Sequence, residues 1–383
     1  MAELMKKYKL AVLVDSFTRG GVALALQVFL QFLPKERYDI TLFVRDYDET
    51  QMLPVPEHVK CLPWGEASVF SPLNRLNMLL SWRNFGRKAV YQTRCRKELT
   101  GEYDCAIGYQ MVSNDVTVMT LEKIRAKRKI LWLHGKKNFR DQDIAFYDNL
   151  YARADKIVCV SLRTEERFQG LMPKCAGKTV TIHNFYDIPL ICSRALESPE
   201  GMVPHPGSTT IVSVGRISKE KGFDRVPEVT RKLLDTGYDI HWYIVGDGNT
   251  RADLEASIRE LGLQDRIHLL GHQTNPYPYV LNCDIYVQPS YTEGFCTSTM
   301  EAKILFKPVV TTDVPGMHEQ FVSGENGLIV ESSPEGIYEG IRKLLDDLSL
   351  RENIINKLRT EPITNDEVLR QTMEVIEEGL MEI

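Results

Sequence analysis

Short β-branched runs alternate with amphipathic segments along nearly the whole chain, and this alternation restricts the fold more than any other feature of the sequence. Parallel strands need crossover connections, usually helical, so repeated βα units imply sheets covered on both faces. Strands are expected at 9–15, 39–44, 104–108, 129–133, 156–161 and 179–182, and again, after a break, at 209–215, 240–246, 267–270, 284–288, 308–311 and 327–330. The intervening stretch SPEGMVPHPGS, residues 198–208, is rich in Pro and Gly and lacks periodicity, so it reads as a linker. At 383 residues the chain exceeds the size at which one hydrophobic core keeps growing. The expected architecture is therefore α/β, with two doubly wound Rossmann-like domains at 1–197 and 209–364. A C-terminal helix at 365–383 is a candidate to complete the first. Ligands of such sheets bind beyond the carboxyl ends of the strands, which points to a cleft between the domains.

Charge divides the chain. Residues 1–195 hold 30 Lys and Arg against 21 Asp and Glu, whereas the remainder holds 17 against 31. A basic half attracts nucleotide, nucleic acid or anionic membrane, and charge alone does not choose among them. The apolar runs are strand-sized, far below the roughly 20 residues that span a bilayer. The amino terminus, MAELMKKYKLAVLVD, meets Asp15 too early for a signal peptide. A cytoplasmic protein is expected. The eight cysteines contain no C-x-x-C pair and suit neither a disulfide framework nor a zinc site.

Two segments of the second half carry chemistry. The strand TTIVSV runs into Gly215-Arg216-Ile217-Ser218-Lys219-Glu220-Lys221-Gly222, which sets Arg216 and Lys221 at a strand end, where they can clamp a diphosphate or simply be solvated loop cations. The strand DIYVQPS runs into Tyr291-Thr292-Glu293-Gly294-Phe295-Cys296-Thr297-Ser298-Thr299-Met300-Glu301-Ala302. Gly294 allows close approach of backbone to a ligand, and the amides that follow open a helix whose dipole favours an anion. Glu293 precedes that helix and Glu301 lies on it, so both can face one site, or serve as a dipole partner and a surface residue.

Taken together, GRISKEKG, VGDG and EGFCTSTMEA, with two glutamates eight apart, resemble the donor-site signature of retaining glycosyltransferases of family four, which have the GT-B fold. The resemblance extends through NCDIYVQPSYTEGF and VPGMHEQFVSGENGLIV. It implies that Arg216 and Lys221 bind the donor diphosphate, Glu293 the transferred sugar and Glu301 the ribose. It also implies that the backbone of Gly294, Phe295, Cys296 and Thr297 serves the sugar and phosphates. In the first half, Asp15-Ser16-Phe17-Thr18-Arg19-Gly20-Gly21-Val22 is similar to the family's Gly-Gly loop, which gives Gly20 and Gly21 a place near the donor phosphates. His134, after the strand KILWL, stands where relatives often carry a histidine near the transferred sugar. His183-Asn184-Phe185-Tyr186-Asp187 departs from the family's Asn-Gly-x-Asp segment at Phe185 and takes no ligand role.

The activity implied is transfer of a hexose or N-acetylhexosamine from a nucleotide diphosphate sugar, with UDP preferred, onto a glycan or lipid-linked acceptor in cell-surface polysaccharide synthesis. Alternatives are a nucleotide-sugar epimerase or phosphorylase of the same fold, or a non-catalytic nucleotide-sugar-binding subunit. No nucleic-acid partner, cofactor or metal is expected. Asp46-Tyr47-Asp48 and Asp141-Gln142-Asp143 match the Asp-x-Asp pattern of metal-dependent transferases, but such triplets arise by chance in charged chains, and cations with helix amides can replace the ion's field. Residues 73–98 hold seven basic residues and one acidic one, with Arg83, Arg87, Arg94 and Lys97 on one helical face. That amphipathic stripe suits an anionic membrane surface at the inner face, or simply a solvated helix.

Overall fold

A computed structural model describes residues 7–18, 20–64, 97–110, 114–134, 141–361 and 363–380. Residues 73–96 of the basic segment lie outside the described residues, as do the side chains of Asp141 and Asp143. The chain forms two compact units, one of residues 1–186 with 365–383 and one of residues 187–364.

In the first unit, β1 (Tyr8–Val14), α1 (Gly21–Phe32), β2 (Tyr38–Val44), β3 (Val59–Pro63), β4 (Glu102–Gln110), α2 (Asn114–Val118), β5 (Arg125–Leu133), α3 (Asp141–Tyr151), β6 (Lys156–Cys159), α4 (Leu162–Leu171) and β7 (Thr179–Thr181) follow in order. The seven described strands pair in parallel in the order β3-β2-β1-β4-β5-β6-β7. Leu10 to Val14 are buried, as a strand covered on both faces requires. Helix α1 meets this sheet through Ala23, Leu26, Phe29 and Leu30, whose spacing of three and four residues makes one face. Phe29 then packs edge-on against Trp132, with ring centroids 5.0 Å apart. Strand β3 is the one the pattern missed: VKCLP is a short edge strand ending in Pro63, with a single fully buried residue and no alternation to mark it.

Phe185 stacks on Phe32 at 5.5 Å and belongs to the core. Among the described residues only Phe306 combines a side chain with positive φ, so Phe185 needs no glycine-like backbone.

The second unit contains α5 (Ile188–Ala195), β8 (Thr209–Val214), α6 (Val226–Asp235), β9 (Ile240–Val245), α7 (Arg251–Glu260), β10 (Ile267–Gly271), α8 (Tyr277–Leu281), β11 (Ile285–Gln288), α9 (Thr297–Ile304), β12 (Val309–Thr312), β13 (Leu328–Val330), α10 (Pro334–Asp346) and α11 (Leu348–Thr360). Its six described strands are parallel in the order β10-β9-β8-β11-β12-β13. The stretch 198–208 does not separate the units, contrary to its composition. It packs onto the second one, because its backbone carbonyls find donors there: Tyr279 donates to Glu200 at 2.7 Å and Tyr243 to Val203 at 2.9 Å. Upstream, Asn275 donates to the Arg194 carbonyl at 2.8 Å. The division instead falls at Tyr186 and Asp187.

After the second unit the chain returns to the first as α12 (Asp366–Glu377). Glu377, nearly buried, accepts from Arg37 Nε at 2.6 Å and from Tyr38, while Arg128 donates to the Val375 carbonyl at 2.7 Å. Tyr186 and Asn365, the two inner ends of this unit, exchange a pair of hydrogen bonds at 3.0 and 2.7 Å. Among the described residues no helix is long and apolar enough to cross a membrane.

Candidate functional site

The second sheet changes direction between β8 and β11, which are neighbours although 70 residues of chain separate the two strands. A crevice opens at the carboxyl ends of two such strands, because the crossovers leave in opposite directions. Both sequence motifs emerge there. After β8, a single 3-10 turn (Lys219–Lys221) is stopped by Gly222, whose φ is 67°. A Cβ on Gly222 would lie 2.0 Å from the carbonyl oxygen of Pro289, in the loop after β11. Only glycine permits that contact, and it fixes Lys221 against the second motif.

Lys221 Nζ consequently reaches Glu293 Oε1 at 2.8 Å. Desolvation pulls the ammonium down, but Cys296 and Glu293 beside it outweigh that and hold it above its ordinary value. Glu293 is itself nearly buried and accepts a second hydrogen bond, 2.6 Å, from Ser290 Oγ. Ser290 in turn accepts from Gln288 Nε2 at 2.9 Å, and Gln288 Oε1 accepts from the Tyr286 hydroxyl at 3.0 Å. Every member of this chain apart from Lys221 and Glu293 is fully buried, so the carboxylate is oriented by a satisfied network. Arg216 is exposed, and no described residue pairs with its guanidinium.

Helix α9 begins at Thr297, and its N-cap residue Cys296 makes no side-chain cap hydrogen bond, which leaves first-turn amides for another acceptor. The Cys296 thiol is buried and pushed up by desolvation and by Glu293, so it stays protonated. Gly316, φ 88°, holds its backbone against the Gly294 carbonyl, where a Cβ would come within 2.5 Å. Glu301 sits on α9 with no described partner, and desolvation raises its pKa to about 8. Such a carboxyl gains from hydroxyl donors that share it, since they replace the water it has lost.

In the first unit, Gly20 and Gly21 follow β1 at the start of α1. A Cβ at either position meets open space, so no internal packing demands glycine there. His134 follows β5, with its ring 4.3 Å from that of Tyr109. Its Nε2 is buried without a partner, and desolvation lowers its pKa to about 3, which keeps the imidazole neutral. Asp46 pairs with Arg45 at 3.0 Å, and Asp48 accepts from Thr50 and Gln51 within its own turn, so both carboxylates of this triplet have local partners.

Lys221 and Glu293 are thus brought into contact, with Arg216, Cys296 and Glu301 on the same motifs at the switch point. Ser290 and Gln288 escaped the reading of the sequence, because a hydroxyl and an amide in a buried strand end look like filler until their partner is known. Proline and glycine at 315 and 316 offered the only local signal for the backbone approach to Gly294.

Residues 200–361 match the family model described as glycosyl transferases group 1. The match lies within the second unit. The chain is 34% identical over 143 residues to the capsular polysaccharide biosynthesis glycosyltransferase CapM of Staphylococcus aureus, covering 37% of this chain and 38% of CapM. It is 30% identical over 239 residues to the N-acetylgalactosamine-N,N'-diacetylbacillosaminyl-diphospho-undecaprenol 4-alpha-N-acetylgalactosaminyltransferase of Campylobacter jejuni, covering 62% and 63%. The chain spans between 30% and 63% of the length of the curated relatives it matches. The crystal structure of Anabaena HepE with UDP and glucose superimposes with a TM-score of 0.71 at 18% identity, over 97% of this chain and 99% of that one. The fold of the chain is therefore GT-B.

Proposed function

We propose that the chain is a retaining glycosyltransferase that moves a hexose or N-acetylhexosamine from a UDP-sugar to a glycan or lipid-linked acceptor in cell-surface polysaccharide synthesis. The observation that carries this reading is the Lys221–Glu293 ion pair at the switch point of the unit that contains the glycosyltransferase family match, with Arg216 and Glu301 on the same two motifs. Arg216 and Lys221, with the first amides of α9, take the charge that develops on the departing diphosphate. Glu293, held by Ser290, takes hydroxyls of the transferred sugar, and Glu301 takes the two ribose hydroxyls. From the first unit, His134 as a neutral imidazole is assigned to the sugar, and the backbone of Gly20 and Gly21 to the donor phosphates. The cationic clamp makes a metal ion unnecessary in this reading.

The names of two relatives support the acceptor class, since CapM is a capsular polysaccharide enzyme and the Campylobacter enzyme acts on a diphospho-undecaprenol lipid. The complex of HepE with UDP supports the nucleotide. Residues 73–98 would then hold the enzyme at an anionic inner membrane surface, which sedimentation with anionic liposomes checks by comparing the parent with a variant carrying Gln at 83, 87 and 94. The function itself is tested by incubating the purified protein with a panel of nucleotide sugars and lipid-linked acceptors, followed by mass spectrometry and anomeric assignment of the product. Sugar transfer with the donor's anomeric configuration kept is expected. Release of UDP with an epimerised sugar, or binding without turnover, would favour one of the alternatives.

A further inference from the structure

We infer that the second unit carries a transition-metal site made of His205, His241 and His268, at the opposite end of its sheet from the donor residues. His241 and His268 are the second residues of β9 and β10, whereas Arg216 and Glu293 follow the carboxyl ends of β8 and β11. In the parallel ladder His268 is the partner of Tyr243, and Tyr243 lies two residues from His241, so all three side chains stand on one face of the sheet. The segment 198–208 lays His205 on that same face. The three histidines bring a nitrogen each to within 4.8 Å of one another.

The pair at the centre is already disposed like ligands. His241 Nδ1 and His268 Nε2 face each other at 3.0 Å. Two imidazole nitrogens on a tetrahedral zinc ion, each at about 2.0–2.1 Å, stand roughly 3.3 Å apart, so an ion replaces the shared proton with a shift of a few tenths of an ångström. His205 lies flat on His241, with ring centroids 3.3 Å apart and planes 2° from parallel. Its ring must turn to aim a nitrogen at the same ion, a motion open to a partly exposed side chain on an irregular segment. Three neutral imidazoles with a fourth position left to water suit a borderline ion such as zinc, nickel or copper rather than magnesium or calcium.

The surrounding charges permit this. Desolvation, then His205 and Arg266, lower the pKa of His241 to about 4, and desolvation with His205 lowers that of His268, so both rings are uncharged at neutral pH. Arg266 approaches His241 Nε2 at 3.4 Å, a long contact that gives way when metal on Nδ1 leaves the proton on Nε2. Its charge is offset by the ion pair with Asp239. Tyr243 accepts from His205 Nε2 at 3.1 Å and donates to Val203, which ties the same segment to the sheet without the ion. Metal binding would reinforce that tie, fastening 198–208 to the edge of the family-matched unit.

The test uses the full chain without a polyhistidine tag, stripped of metal and titrated with zinc by calorimetry, with elemental analysis after dialysis. Cobalt serves as a visible probe of imidazole coordination. The parent is expected to retain about one zinc per chain with a Kd near or below micromolar, and His205→Gln and His268→Gln each to weaken it about tenfold or more. At zinc near a hundred times the parent Kd, the parent Tm should rise by about 5–10 °C, a shift that falls to about half or less in both variants and that His58→Gln in the other unit keeps. The inference is overturned if the parent takes up no zinc, if the double variant His205→Gln with His268→Gln binds zinc and cobalt as the parent does, or if His205→Gln alone leaves binding unchanged.

Discussion

Lys221 Nζ lies 2.8 Å from Oε1 of Glu293, so the cation assigned to the diphosphate and the carboxylate assigned to the sugar form one ion pair before any donor arrives. Under the proposed function, donor binding would exchange partners, the phosphate drawing on Lys221 while Glu293, still held by Ser290, turns its lone pairs to sugar hydroxyls. A buried pair loses more when one member is removed than when both are, because the survivor is left as an unpaired charge.

Lys221→Ala should lower kcat/KM by about ten- to a hundredfold, the equivalent of roughly 1.5–3 kcal/mol for one charged hydrogen bond. Glu293→Gln keeps the shape and should act mainly on kcat. The double variant should lose less than the product of the two single losses. Strict multiplicativity in steady-state kinetics would mean that the two residues act independently.

Glu301 ties nucleotide affinity to pH. Its carboxyl is raised to about 8 by desolvation, and ribose hydroxyls favour the ionised form, so binding expels a proton and tightens as pH rises from 6 to 8. Calorimetry in buffers of different ionisation enthalpy should record that proton release for the parent and none for Glu301→Gln. Stability runs the other way: between the ordinary carboxyl value of 4.5 and 8 the unfolded chain has lost a proton that the folded chain keeps, so this group weakens the fold as pH rises. An affinity independent of pH in the parent would remove Glu301 from the ribose.

His134 gives the opposite stability slope. Its folded pKa of about 3 lies below the ordinary 6.5, so as pH falls through 6.5 the unfolded chain takes up a proton that the folded chain refuses. Stability should decline by at most about 1.4 kcal/mol per pH unit over that window from this group alone. Denaturant titrations of His134→Gln at pH 7 and pH 5 should show a shallower decline than the parent, together with a lower kcat. Parallel declines would show that His134 titrates normally.

Gly222→Ala should cost about 2 kcal/mol or more, since it combines a left-handed backbone with a Cβ 2.0 Å from the Pro289 oxygen. Because the loop that must shift carries Lys221, nucleotide affinity should fall along with the melting temperature. Gly20→Ala meets open space and should leave Tm within about 2 °C, so any loss of turnover there reports on the ligand. A normal Tm for Gly222→Ala would contradict the close approach.

Activity should survive excess EDTA at temperatures well below unfolding, because the proposed site assigns the positive field to Arg216, Lys221 and the α9 amides. Abolition by EDTA with recovery on adding manganese or magnesium would assign that role to a metal.

The sequence by itself determined the strands that carry the site, because short β-branched apolar runs and the amphipathic segments between them are local signals, and every described strand except the edge strand β3 shows such a run. It also marked Arg216, Lys221, Glu293 and Glu301, since each stands beside a glycine, at a strand end or on the helix that follows. Tertiary structure alone decided that β8 and β11 are neighbours, which is what puts Lys221 on Glu293, and that Ser290 and Gln288 orient that carboxylate. It alone placed α12 against Arg37 and Tyr38, and bound 198–208 to the second unit despite its linker-like composition. The three histidines had no signature at all, for their spacing in the chain is set by two βα crossovers and not by the ion they surround. Contacts between residues far apart in sequence leave no periodicity behind, and only the order of strands in the sheet brings them together.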